Sequence, residues 1–383
     1  MDEPTQDERI SNVLNLPATP FNYANVELPE HFRYAEDNFD NTPSDNLLTN
    51  QGATLGRVLF YDKNLSKNKS ISCASCHIQE NGFSDPKIFS EGFEGGQTRR
   101  NSMGLANSRF YQDVKFFWDH RARTLEEQVL MPIQDEVEMG LTLDELVENL
   151  QSLEYYPPLF EDAFSLEEIT SDKISKALAQ FIRSMLSFNT KYDEGIAQTR
   201  DIFMDFPNFT AEENLGKNIF NGSFRLDEKG VCIRCHMPND DDEPLRPGFV
   251  PPNQATLFTV GPRNNGIDAN SETATDNGVG ELVNNPVADG TFKVPSLRNI
   301  ALTAPYMHDG RFATLEEVVE HYSTGVQPHP SLSFPALANE DGSAVNLHLS
   351  EEEKIALVAF LKTFTDIDFV SDEKYSNPFK ENE

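Results

Sequence analysis

The chain has 383 residues, with 63 acidic side chains against 31 basic ones and a formal net charge of −32. Such a field repels nucleic acid and anionic lipid and suits a basic protein partner, and it also keeps a protein in solution. The length exceeds what one core usually serves, so two domains are expected, and no apolar run reaches the roughly 18 residues of a membrane-spanning helix.

Residues 1 to 45 are rich in Pro, Asn and Asp with little periodicity and read as an extended arm. Asn50 to Asp62 carries Leu55, Val58, Leu59 and Phe60 at helical spacing. That helix leads to Cys73-Ala74-Ser75-Cys76-His77. Two cysteines three apart, closed by a histidine, are the spacing for covalent attachment of a c-type heme. The thiols become thioethers and the imidazole ligates the iron. After His77 an irregular loop follows, punctuated by Gly82, Pro86, Gly92, Gly95 and Gly96. Phe110 to Leu130 is apolar and aromatic, with Pro132 ending it. Thr142 begins a helix with Asp144 and Glu145 in its first turn. Ser171 to Phe188 is a further helix, with Ile174, Leu178, Phe181, Ile182, Met185 and Leu186 on one face.

A boundary near Phe206-Pro207-Asn208 separates an N-terminal domain, 46–206, from a C-terminal one, 207–383. Thr210 and Glu213 form a capping box for a helix running to about Phe220. It leads to Cys232-Ile233-Arg234-Cys235-His236, so the order helix, loop and motif repeats as in an internal duplication. Asn239 to Pro252 is an acidic, proline-broken loop, and Asn264 to Asn285 is again loop. Thr314 to Tyr322 is helical. Ser350 caps the last helix, whose buried side comprises Ile355, Leu357, Val358, Phe360 and Leu361. No segment shows strand alternation. The fold expected is all-α, two cytochrome c-like domains, each with one covalently attached c-type heme.

All four cysteines lie inside the two motifs, which leaves none for a disulfide. Paired Cys-x-x-Cys motifs that hold zinc commonly lie about 15–20 residues apart and need no adjoining histidine. A thioredoxin-like redox motif needs neither the histidine nor a second copy. The 28 phenylalanines suit the lining of two heme crevices.

Around the motifs, further blocks occur in a fixed order. They include Leu55-Gly56-Arg57-Val58-Leu59-Phe60-Tyr61-Asp62, Phe117-Trp118-Asp119-His120-Arg121-Ala122, Pro132-Ile133 and Val137-Glu138-Met139-Gly140. The second half adds Val294-Pro295-Ser296-Leu297-Arg298-Asn299 and Thr303-Ala304-Pro305-Tyr306-Met307-His308-Asp309-Gly310. From about Leu55 to Phe364 the chain resembles the bacterial di-heme cytochrome c peroxidases, a family that includes the MauG-type enzymes.

The resemblance implies that the N-terminal heme, with His77 as proximal ligand, meets hydrogen peroxide. The C-terminal heme, with His236, then stores or relays electrons. It makes Glu138 the group that moves a proton between the peroxide oxygens, with Gln128 and Pro132 near the same distal pocket; taken alone, Glu138 reads as a surface carboxylate. Trp118 matches the tryptophan between the hemes, and a buried structural role is compatible with that. Asn101, with backbone oxygens of Thr303 and Pro305, matches a calcium site between the domains.

Two departures from the family pattern stand out. Phe93 occupies the place of the loop histidine that caps the resting iron in reductively activated members, so the first iron is expected to be open. Tyr322 stands where peroxidases commonly place a methionine ligand of the second heme, as in MauG, with Met307 and His321 as alternatives. His120 replaces the usual glycine, and the residues give no reason for it. His308 is expected to be structural, near the second heme propionates, and His31, His329 and His348 read as surface residues.

Three functions are compatible with these residues. One is a peroxidase drawing electrons from a small cytochrome c or cupredoxin. The second is a MauG-like oxidase acting on side chains of a partner protein, and the third is a plain di-heme electron carrier. The family is often dimeric, which makes a homodimer one expected assembly. Bacterial heme attachment normally takes place outside the cytoplasmic membrane, so an exported, periplasmic protein is expected, its leader missing before Asp2-Glu3-Pro4.

Overall fold

The computed structural model describes residues 6–111, 115–165, 168–222, 232–236, 255–257, 261–272 and 274–380. The expected acidic loop, Asn239 to Pro252, lies outside the described residues. Among the described residues the regular structure is helical, and β pairing is confined to isolated bridges.

Side-chain caps fix where the main helices begin. Helix α1 (Asn50–Tyr61) starts after Thr49, whose hydroxyl accepts the Gly52 amide at 3.0 Å. Helix α2 (Leu125–Gln134) starts after Thr124 and α3 (Ser171–Arg183) after Thr170. Capping boxes open α4 (Ala211–Phe220; Thr210 with Glu213), α5 (Leu315–Glu320; Thr314 with Glu317) and α6 (Glu351–Lys362; Ser350 with Glu353). The helix expected from Thr142 is Leu143–Gln151, also opened by a capping box.

Several expected boundaries move, each for a local reason. Pro132 does not end α2. It lies in the last turn, where it deletes one donor, and the next bond, Asp135 N to Met131 O at 3.0 Å, still closes. Helix α3 stops at Arg183, short of Phe188. The hydroxyl of Tyr375 donates to Ser184 O at 2.6 Å and draws the chain out of the helix, although Met185 and Leu186 remain buried. Helix α5 gives way to a π-turn, His321–Gly325. Ile355 is 57 % exposed rather than buried, because the inward stripe of α6 runs through Ala356, Leu357 and Phe360. Nor is α6 the last helix, since Ile367–Ser371 follows it. The N-terminal arm holds helices Gln6–Ser11 and Arg33–Phe39, the latter ordered by Phe32, Ala35 and Phe39 packing with Phe110 and Leu186.

The duplication is geometric as well as sequential. Helices α1 and α3 approach so closely at Gly56 that a Cβ there would lie 2.0 Å from Ala177 O. At the matching crossing of α4 and α6, a Cβ on Gly216 would lie 1.9 Å from Ala356 O. Glycine at each crossing is what admits the backbone contact. Each pair holds a phenylalanine against the motif histidine: Phe60–His77 and Phe220–His236 both have centroids 6.4 Å apart at 41°.

Two main cores result. The first runs from Leu14 to Met185 and takes in Phe369 and Tyr375 from the far end of the chain; the second runs from Tyr192 to Phe364. Tyr192, Ile196, Ile202 and Phe206, on the N-terminal side of the expected boundary, pack with the second core. The C-terminal tail returns to the first. Arg57 Nε donates to Ser376 O at 2.6 Å, Tyr61 donates to Tyr375 O at 2.7 Å, and the Tyr375 ring packs on Phe83 and Phe181.

A buried ion pair ties the arm to the second core. Arg298 donates to Asp193 Oδ1 at 2.8 Å and to Ala255 O, and His31 Nε2 lies 2.7 Å from the same carboxylate oxygen. His31 is therefore no surface residue: its side chain is 8 % exposed. His329 is buried too, with Nδ1 accepting the Ser331 amide at 3.1 Å, whereas His348 is exposed.

Candidate functional site

Two cavities flank Trp118. The first, of about 500 Å³, is lined by Cys76 and His77, by Gln128 and Pro132 of α2, by Glu138 and by Trp118. The second, of about 180 Å³, is lined by Cys232, Cys235, His236, Met307, His308, Tyr322 and the other side of the Trp118 region. Trp118 is fixed between them by its indole N–H, which donates to Asn101 O at 2.8 Å, and by its carbonyl, which accepts the Lys293 amide.

The motif side chains fit covalent heme attachment. All four cysteines are free. Burial pushes the thiols of Cys73 and Cys76 up, to about 12 and about 11, and raises Cys235 as well. Redox thiolates and zinc ligands need the opposite shift. His77 Nδ1 lies 2.8 Å from Phe83 O, and His236 Nδ1 lies 3.1 Å from Leu257 O. A carbonyl only accepts, so each Nδ1 carries the proton and each Nε2 keeps its lone pair for a metal. Burial lowers both imidazoles, His236 to about 4, so neither competes by protonating. Arg99, Arg100, Arg121 and Lys293 line the first cavity; the arginines are paired with Glu281, Asp276 and Asp119, and guanidinium groups have further donors that suit heme propionates.

Glu138 sits in the turn after α2. Its amide donates to Asp135 Oδ1 at 3.1 Å and its carbonyl accepts the Phe93 amide at 3.0 Å. Burial pushes its carboxyl up to about 7; Asp135 adds to the rise and Arg121 opposes it. A carboxyl with that proton affinity both takes and returns a proton near neutral pH.

The loop carrying Phe93 is packed tightly onto this turn. A Cβ on Gly92 would lie 1.7 Å from Val137 O, and one on Gly140 (φ 72°) would lie 2.5 Å from the Phe93 ring. Asn68 also donates to Phe93 O at 2.5 Å. The ring at position 93 is thus spent on the backbone beside Glu138.

Around the second cavity, Tyr322 lies on the π-turn, a distortion that often marks functional positions. Burial pushes its phenol up, while a hydrogen bond from Asn265 draws it down. His308 is stacked on Phe292, centroids 3.7 Å apart at 12°, and meets Trp118 edge-on at 6.4 Å. Asn101, Thr303 and Pro305 line one small cavity of about 60 Å³ beside Trp118. Among the described residues no cluster of three His, Cys, Asp or Glu could hold a metal, so a cation here would rely on amide and backbone oxygens.

The backbone shows why glycine is usual where His120 stands. His120 has φ 62°, and the bridge Phe116–Ala122 around it matches Tyr306–Phe312 around Gly310, which has φ 63°. The ring is buried, with Nε2 3.0 Å from the Tyr111 hydroxyl. Burial first, then Lys293 and Lys115, lower the imidazole to about 4. Asn265 carried no signal in the sequence beyond a loop composition.

Comparison with known proteins agrees with this geometry. The family model for di-haem cytochrome c peroxidase matches residues 50–201. The methylamine utilization protein MauG of Methylorubrum extorquens is 33% identical over 335 residues, covering 84% of this chain and 80% of that protein. The chain belongs to the di-haem cytochrome c peroxidase family. The cytochrome c551 peroxidase of Nitrosomonas europaea is 31% identical over 314 residues, covering 82% of this chain and 79% of that protein. The crystal structure of a MauG-like protein associated with microbial copper homeostasis superposes with a TM-score of 0.73 at 32% identity, covering 92% of this chain and 99% of that one. As a member of this family the chain is an oxidoreductase with two c-type hemes, built on two cytochrome c-like domains. No helix among the described residues is long and apolar enough to cross a membrane.

Proposed function

We propose that this enzyme reduces hydrogen peroxide to water at a first heme held by Cys73, Cys76 and His77. Cys232, Cys235, His236 and Tyr322 would hold a second heme, which would relay electrons to the first. Each bound iron supplies one-electron chemistry, and two electrons with two protons convert one peroxide to two waters. The Glu138 carboxylate takes the proton from one peroxide oxygen and hands it to the other, which becomes the leaving water. Gln128 and Pro132 border the space in which the peroxide sits, and Trp118 gives electrons a packed path between the cavities. A calcium at Asn101, Thr303 and Pro305 would hold the two halves together. The electron donor is a small cytochrome c or cupredoxin, met in the periplasm, where heme attachment normally takes place; a homodimer is compatible with this use.

The single observation that carries this reading is a carboxyl of near-neutral proton affinity, Glu138, in the same cavity as His77. Its test is peroxide added to the fully oxidised protein without reductant. The packing of Phe93 predicts an immediate change in the heme spectrum, and a requirement for prior one-electron reduction would contradict it. Turnover should then follow with a reduced small cytochrome. A spectrum that ignores peroxide, with no donor consumed, would leave an electron carrier.

A second reading, oxidation of side chains on a partner protein, is favoured by Phe93 and Tyr322 together. It also has support from the 33% identity to a protein named MauG. It would be separated from the first by a peroxide-treated state that persists without a small donor and is consumed by a protein substrate. For Tyr322, replacement by Phe should shift the spectrum of the second heme alone. An unchanged spectrum would remove Tyr322 as the sixth ligand.

A further inference from the structure

Three side chains near the second cavity can ligate iron opposite His236: Tyr322, Met307 and His321. One residue touches all three. Asn265 Nδ2 donates to Met307 Sδ at 3.2 Å, and its backbone carbonyl accepts from His321 Nε2 at 3.0 Å. Its side-chain amide is also near enough to the Tyr322 phenol to draw the proton affinity of that group down. We propose that Asn265 is a positioning residue that selects Tyr322 as the sixth ligand, by engaging the Met307 sulfur and the His321 Nε2 while supporting the phenol oxygen. The proposal rests on the reading of Tyr322 as a ligand.

The chemistry of an amide suits this work. Its NH2 group carries two hydrogens, one for the sulfur and one for the phenol oxygen. A thioether sulfur that accepts a hydrogen bond keeps a second lone pair, but the tether fixes where that pair can point. An imidazole whose Nε2 carries its hydrogen toward a carbonyl cannot present a lone pair there. A phenolate accepts an N–H without losing its capacity to ligate, since it has lone pairs to spare. The side-chain amide therefore tethers the sulfur and assists the anionic candidate, while the backbone carbonyl occupies the imidazole. Asn265 is itself held in place, because its neighbour Gly266 (φ 69°) accepts the Gln327 amide at 2.8 Å and donates to Asn264 Oδ1 at 2.8 Å.

The test uses the protein with both hemes attached, read by absorption, magnetic resonance and the midpoint potential of the second heme. In Tyr322→Phe with Asn265 intact, the second iron should lose its sixth ligand and show no methionine-to-iron charge-transfer band. In Asn265→Leu,Tyr322→Phe, that band should appear and the potential should rise, as methionine ligation raises it. Adding Met307→Leu should abolish both. A methionine band already present in Tyr322→Phe overturns the selection by Asn265, and so does its absence from the double variant. An unchanged spectrum in Tyr322→Phe removes instead the ligand reading beneath the proposal. Asn265→Ala serves in place of Leu if the latter fails to retain two hemes, since it keeps the backbone carbonyl that holds His321.

Discussion

Glu138→Gln should lower the rate of reaction with peroxide by about 10²–10⁴-fold, the usual worth of a positioned proton carrier, with both hemes still attached. Glutamine keeps the size and hydrogen-bonding outline but neither takes nor returns a proton. The main-chain groups of Glu138 that seat the turn, its amide donating to Asp135 Oδ1 and its carbonyl accepting from the Phe93 amide, do not involve the replaced atoms. The pH dependence gives a second readout. Burial raises the carboxyl to about 7, and the carboxylate is the form that accepts the peroxide proton. The rate in the native enzyme should therefore fall as pH drops through about 7, and the Gln variant should lose that limb. Rapid mixing with peroxide across this range, at fixed ionic strength, measures both. Native rates in the variant would end the assignment.

Arg298→Ala should destabilise the fold by about 3–5 kcal/mol, the cost of leaving a buried charge without its partner. Arg298 and Asp193 are almost wholly buried, so the variant cannot turn to solvent for compensation. Burial alone would push the Asp193 carboxyl up; Arg298 and His31 outweigh it and hold the group well below the usual carboxylate range. A carboxyl depressed in the folded state contributes stability above its unfolded value, near 4, and loses it as pH falls through the folded one. The native protein should keep this contribution into strong acid. The gap between native and variant should be widest near neutrality and narrow toward low pH. Denaturant titration at neutral and at acid pH tests this, and a gap below about 1 kcal/mol at neutrality, the worth of an exposed pair, would refute it.

What could be read before the structure was mostly local chemistry. The heme motifs, the capping box at Thr210 and the helix starts at Thr142, Thr314 and Ser350 depend on residues a few positions apart, and the helices begin where expected. The positions of Glu138, Gln128 and Trp118 around one cavity came through resemblance, because no spacing rule links α2, the turn after it and the Trp118 segment. What escaped was long-range. The end of α3 is set by Tyr375, the burial of His31 by Asp193 and Arg298, and the fate of Met307 by Asn265. None of these pairs leaves a mark on its neighbours in sequence. His120 is the exception that could have been found. Aligning Asp119-x-Arg121 with Asp309-x-Arg311 sets His120 against Gly310, and a glycine there points to a left-handed backbone.

The returning tail also bears on the order in which the molecule is completed. Tyr375 fills a space between Phe83 and Phe181, and Ser376 accepts from Arg57, so the first globule lacks part of its interior until residue 376 has been made. The second globule also waits for late residues, up to Phe364, but draws its whole interior from the stretch between Tyr192 and Phe364. The half made first is the half finished last.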